Sequence, residues 1–413
     1  VTRRVFTGGQ VFDGTGSPPA SADVVVEDGR VVEVGRGLDG DESVDCSGAT
    51  LLPGLFDCHV HVMMSGVDML RLIQTPFSYP FYEAVHNLRR TLALGITHVR
   101  DAGGADLGVA EAVRRGLIAG PRMQIAISML SQTGGHGDGW HVCGAEIPLM
   151  GPHPGRPDTV VDGADEMRRA VRRLLRAGAD VIKVATSGGV LSARDDPRHP
   201  HFRTAELDVL VAEASAAGKA VMAHAQGAEG IKAAVRAGIR SIEHGIYLDD
   251  EAIDLMLDRG TWLVPTLVAP RAVLAAAAAG ASLPAAVVEK ARQVQEAHEA
   301  SVRRAVSAGV RIAMGTDSGV GPHGTNLDEL TLMAGCGMSP DEVWRATTLS
   351  AAELLGVADE FGTLQPGKRA DLVVLDGDPH DLSGLEKRVR EVYRDGELVA
   401  AGGATVEDGV IPR

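Results

Sequence analysis

Aromatic residues are scarce in this chain: three Trp, four Tyr and seven Phe among 413 residues, or 3%. Its core must therefore rest on Val, Leu, Ile and Ala. Cysteine is rarer still. Cys46, Cys58, Cys143 and Cys336 fall in no CxxC or other zinc spacing. They suggest no dense disulfide framework, so reduced thiols and a cytoplasmic location are expected. Positive charge is in deficit, with 40 Lys and Arg against 55 Asp and Glu and a formal net charge of −15. Such a surface repels nucleic acid and anionic membranes unless it carries a local basic patch. The densest basic stretch, "MRRAVRRLLRAG" (167–178), reads as the solvated face of an amphipathic helix. Neither nucleic acid nor a membrane is an expected partner. The first residues, "VTRRVFTGGQVFDG", lack the apolar segment of a signal peptide. The most hydrophobic tract, "AVLAAAAAGASLPAAVV" (272–288), is broken by Gly280 and Pro284 and is too Ala-rich for a membrane span. No GxGxxG follows an early strand, and no GxSxG elbow offers a serine nucleophile.

What is present is a regular rhythm. The composition, 45% hydrophobic and 23% charged, is that of a globular chain. Gly is abundant, at 51 residues, which suits many tight connections. Both ends read as β-structure, with "ADVVVEDGRVVEVG" near the start and "ADLVVLDGDP" and "VREVYRDGELVAAGG" near the finish. This predicts a small β-sandwich domain built from residues 1–52 together with 362–413. Between them short apolar strands alternate with helical stretches. The strands are "GLFDCHVH" (54–61), "THVRDAG" (97–103), "RMQIAISML" (122–130), "DVIKVATSGG" (180–189), "AVMAHAQG" (220–227), "SIEHG" (241–245), "WLVPTL" (262–267) and "RIAMGTDSG" (311–319). Eight such units predict an α/β fold, a (β/α)8 TIM barrel over residues 53–361. A doubly wound open sheet is the structural competitor.

Ionisable residues sit where these strands end, which in such a barrel is the reactive face. The first strand ends with His59 and His61, the fourth carries Lys183, the fifth ends at His224, the sixth at His244 and the eighth at Asp317. Each alone has an ordinary reading as a hydrogen-bonded core histidine, a salt-bridged lysine or a turn-capping aspartate. Together they need a common cause. Alternation turns His59 and His61 to one side of their strand, a ready start for a divalent metal. The others are expected at the same level of successive strands.

These residues resemble the binuclear-metal amidohydrolase superfamily, as do "LLPGLFDCHVH" and "GTLQPGKRADLVVLD". "VRDAGG", "TGGHGDG", "IKVATSGGVLS", "HAQG", "IEHG" and "GTDSG" resemble its prolidase-like branch, whose members hydrolyse Xaa-Pro and related peptide bonds. Ochratoxin-hydrolysing amidases and, more distantly, imidazolonepropionase are relatives of that branch. The resemblance implies two divalent ions, usually zinc. His59, His61 and Asp317 would hold one ion, His224 and His244 the other, and carboxylated Lys183 would bridge both. It implies hydrolysis by a metal-bridging hydroxide, with Asp317 moving the proton to the leaving amine. His136, in the loop "SQTGGHGDGWH", would bind the scissile carbonyl, and Tyr247 the substrate α-carboxylate. Arg194, Arg198 and His199 in "LSARDDPRHPHF" are further candidates for a carboxylate. The activity implied is that of a dipeptidase or carboxypeptidase on Xaa-Pro or Xaa-hydrophobic substrates, and the assembly a homo-oligomer. A non-peptide or cyclic amide is the alternative substrate, and a non-catalytic structural relative the remaining one.

Overall fold

The computed structural model describes residues 2–141, 143–192 and 195–406. Its central part repeats one local device. Helix Ala164–Ala177 buries Met167, Ala170, Val171 and Leu174 on one side. It stops at Gly178, whose φ of 98° favours glycine. Strand Val181–Ala185 then begins at once. Helix Ala228–Ala237 ends in the same way at Gly238 and feeds strand Ser241–His244. The arginines of the first of these helices do face solvent. Arg168 and Arg172 pair with Glu213 of the neighbouring helix Thr204–Ala216, exposed pairs that contribute little to stability.

The fold is mixed α/β. Its central strands run parallel in two groups. One is ordered Arg122–Ile125, Ile96–Asp101, Leu55–Val60. The other is ordered Met129–Leu130, Val181–Ala185, Ala220–Ala225, Ser241–His244, Trp262–Val264. Two expected strands come out differently. Residues 122–130 split in two around Ile127, whose φ is 67°. The chain there steps from one group to the other. Residues 311–318 form no continuous ladder; they bridge Leu263 through Ile312 and Val60 through Ser318. They thus touch the outer strand of each group.

The two ends of the chain pair with each other. Strand Ala49–Pro53 runs antiparallel to Leu372–Asp376, with Leu372 opposite Pro53 and Asp376 opposite Ala49, inside a seven-stranded sheet. A four-stranded sheet is ordered Arg30–Gly35, Asp23–Glu27, Arg4–Thr7, Glu42–Asp45. One apolar cluster joins the two sheets, with Phe6, Val24 and Val26 from the smaller and Leu51, Leu372, Val374 and Tyr393 from the larger. Each such side chain contributes about 1.5–3 kcal/mol when fully buried. The ends are therefore held by core packing as well as by the ladder. Among the described residues, no helix is long and apolar enough to cross a membrane.

Candidate active site

His59 and His61 behave as strand alternation requires. Their rings lie 5.5 Å apart, and both reach Asp317 Oδ1, from His59 Nε2 at 3.4 Å and His61 Nε2 at 3.1 Å. The pairing of their strand with Ile96–Asp101 shifts register between Asp57 and Val60, a bulge just where the histidines project. Asp57, fully buried, ties the region down. It accepts from the backbone N–H of His59 and Thr316 at 3.1 Å each, from Thr316 Oγ1 at 2.7 Å and from Asn326 Nδ2 at 2.9 Å. Burial alone would push the carboxyl of Asp317 up, but the imidazoles of His59 and His61 hold it well below the usual range.

The remaining candidates do not lie at one level. His224 is paired in register with Glu243, and His244 with Ala225. Simple alternation would therefore face Glu243 with His224 and turn His244 away. Instead His244 takes a left-handed φ of 74°, which brings its ring to 4.7 Å from that of His224 and 5.1 Å from that of His59. Asp317, at φ 62°, and Thr266, at φ 52°, are bent in the same sense. Left-handed backbone at a non-glycine residue costs of order 1–3 kcal/mol and gathers at functional sites. Here it re-aims two of the candidate ligands and the hydroxyl that orients one of them. Burial drives the imidazoles of His224 and His244 well below their ordinary value, so both are neutral with a lone pair to offer.

Each of the four histidines has one ring nitrogen already committed. His61 Nδ1 donates to Gly103 O at 2.7 Å, and His224 Nε2 to Gly188 O at 3.1 Å. His59 Nδ1 donates to Glu243 Oε2 at 2.7 Å, and His244 Nδ1 meets Thr266 Oγ1 at 2.7 Å. This is the outer hydrogen bonding that fixes tautomer and ring angle in metal-ligating imidazoles. Ligand atoms of His59, His244 and Asp317 lie within 4.8 Å of one another. That triad draws on both of the expected ligand sets. Lys183 is buried in the same region, and burial pushes its ammonium down to about 8 against the pull of Glu243 and Asp317. Imidazoles with one carboxylate fit a borderline divalent ion such as zinc.

Glu243 is the residue that the sequence reading did not single out. It is fully buried, accepts Arg100 Nη2 at 2.9 Å and Ser241 Oγ at 2.6 Å on Oε1, and carries His59 on Oε2. The available signal was a glutamate directly before His244 in an otherwise apolar strand, where a buried acid needs a partner.

His136 comes to the same place. Its ring stacks on that of His224 at 4.1 Å. It lies against the backbone of Gly189 so closely that a Cβ there would sit 2.2 Å from His136 Cε1. Tyr247 is half-buried, and the Arg198 guanidinium sits 5.8 Å from its ring centre, so two of the carboxylate candidates are neighbours. His199 is exposed in the same loop; Arg194 lies outside the described residues.

Imidazoles at the C-terminal ends of parallel strands, with a carboxylate and a buried lysine beside them, fit a hydrolytic enzyme of the α/β class. The chain belongs to the amidohydrolase family, whose model matches residues 50–399. It is 34% identical to an ochratoxinase from Aspergillus niger, over 97% of this chain and 87% of that protein. It is 27% identical to an imidazolonepropionase from Acidiphilium cryptum, over 87% of this chain and 88% of that one. A solved Xaa-Pro dipeptidase with methionine bound in its active site matches with a TM-score of 0.89 and 34% identity, covering 97% of this chain and all of that one. A solved prolidase in complex with N-methylphosphonate-L-proline matches at 0.88 and 35%, with coverage of 97% and 100%.

Proposed function

We propose that this protein hydrolyses peptide or amide bonds with the aid of two divalent metal ions, and that its preferred substrates are Xaa-Pro or Xaa-hydrophobic dipeptides. The observation that carries this reading is the convergence of His59, His61, His224, His244 and Asp317 around buried Lys183, each imidazole with one nitrogen already committed. In this reading His59, His61 and Asp317 hold one ion and His224 and His244 the second. A neutral Lys183 amine would add CO2 and release a proton, and the resulting carbamate would offer oxygen ligands to both ions. Zinc matches this donor set, and when bound the ions would supply Lewis-acid polarisation and acidify water.

The chain's own residues do the rest. Asp317 takes the proton of the attacking water and hands it to the departing amine nitrogen. His136 donates a hydrogen bond to the scissile carbonyl oxygen as it gains charge. Tyr247 and Arg198 bind the substrate α-carboxylate, which supports a preference for acylated amino acids with a free C-terminus. The same reading treats residues 53–361 as one (β/α)8 barrel, supported by the bridges through Ile312 and Ser318. It treats residues 1–52 with 362–413 as a β-sandwich, supported by their shared core.

Metal analysis of the purified protein is expected to find about two equivalents. A chelator should remove activity, and zinc should return it. Full activity with less than one equivalent bound would overturn the metal reading. A dipeptide library that varies the C-terminal residue should show turnover centred on proline or an apolar side chain. No turnover of any dipeptide would favour the second reading, a non-peptide amide, which the 34% identity to an ochratoxinase supports.

A further inference from the structure

His136 is held by a chain of contacts that ends on a different element. Its Nδ1 lies 2.8 Å from Ser192 Oγ, with Asp195 Oδ2 farther off at 3.7 Å. Ser192 in turn donates its hydroxyl proton to Asp195 Oδ1. A hydroxyl committed to a carboxylate offers only its lone pairs to the ring, so His136 Nδ1 carries the proton and donates. Asp195 Oδ2 also accepts from the backbone N–H of Gly189 at 3.0 Å. Gly189 is the residue on which the ring rests.

The far end of the chain is Lys290, on the long helix Ala285–Ala308. Its ammonium lies 3.1 Å from Asp195 Oδ1. It also reaches three carbonyl oxygens of the same loop, Gly189 at 2.8 Å, Ser192 at 2.6 Å and Asp195 at 2.7 Å. One lysine thus ties Gly189, Ser192 and Asp195 together. The Asp195 side chain is almost wholly enclosed, at 4% exposure. A carboxylate in that setting is stable only because serine, amide and ammonium donors surround it. On the other side of the ring, no protein hydrogen bond occupies His136 Nε2 among the described residues.

We propose that Asp195, anchored by Lys290 and acting through Ser192, is the positioning residue that sets the tautomer and ring angle of His136 and leaves Nε2 for the substrate carbonyl. This rests on the proposed reading of His136 as a substrate-facing group. It gives a role to Ser192 and Asp195, which lie in the quoted motifs without one, in the segment that also bears Arg198.

The test is a set of variants assayed on an Xaa-Pro dipeptide with the metal-loaded enzyme. Asp195→Ala and Ser192→Ala are expected to lower kcat by about 10–100-fold, with KM changed by less than about threefold and metal content unchanged. Ser192→Thr, which keeps the hydroxyl, should restore kcat. In a His136→Ala background, Asp195→Ala should cost nothing further, because its effect runs through the ring. A second readout needs no turnover. In protein labelled with 15N at histidine, the Nδ1 proton of His136 should be visible in the wild type and in Ser192→Thr and be lost in Ser192→Ala. The proposal is overturned if Asp195→Ala costs as much without His136 as with it, or if the Nδ1 proton is unmoved by Ser192→Ala. If His136→Ala itself keeps full kcat, the substrate-facing reading fails, and the proton signal still decides whether Asp195 and Ser192 position the ring.

Discussion

Lys183→Ala is expected to abolish hydrolysis, with a loss of kcat on the order of 10³-fold or more and partial rescue by a small added carboxylate. Lys183 is 2% exposed in strand Val181–Ala185, among His224, His244, Asp317 and Glu243. Placing an ammonium there is costly, and burial depresses its pKa from 10.5 to about 8. That shift corresponds to roughly 3 kcal/mol. Below about pH 8 the folded metal-free protein carries this penalty in full. Between about 8 and 10.5 the unfolded chain still binds the proton and the folded one does not, so stability rises with pH. Lys183→Met removes the charge at similar length. Its metal-free form should be more stable than the wild type below pH 8, with the gap closing toward pH 10.5. Thermal melts of both across that range, alongside kcat, check the prediction. A variant that keeps more than a tenth of wild-type kcat would defeat the role given to Lys183.

Glu243→Gln is the second large effect, and it acts without touching a proposed ligand position. The carboxylate has two employments: Oε1 neutralises Arg100, and Oε2 takes the Nδ1 proton of His59. In the amide, Arg100 and Ser241 still demand an acceptor, so the NH2 group must turn toward His59. That drives the imidazole proton to Nε2, the nitrogen facing Asp317, and removes the lone pair. Metal affinity should fall by about 10–100-fold. The unpaired buried guanidinium should also cost about 3–5 kcal/mol of stability. Replacing both Arg100 and Glu243 by methionine should recover stability while metal binding stays weak, because an apolar pair needs no counter-charge. Titration calorimetry and denaturant unfolding separate the two effects. Wild-type metal affinity in Glu243→Gln would show that the tautomer of His59 is set elsewhere.

Much of this site is legible in the sequence because local rules suffice for it. His59-Val60-His61 is read by alternation alone, and both rings do converge on Asp317. The pairing of Ala49–Pro53 with Leu372–Asp376 follows from the shared β texture of the two ends. The break at Ile127 and the irregular pairing of 311–318 were not legible, because both depend on where the chain must step between neighbouring strands.

By itself the sequence determined the residue types, their order along the strands and the family they resemble. Hydrophobic periodicity and polar residues at strand ends are properties of local chemistry. Only the tertiary structure decided that His244 faces inward against alternation, that Glu243 orients His59, and that Lys290 reaches Asp195 from a helix about a hundred residues away. These depend on a left-handed backbone turn and on contacts between distant segments. No local pattern records them, because their stabilising energy comes from groups brought together only when the core is packed.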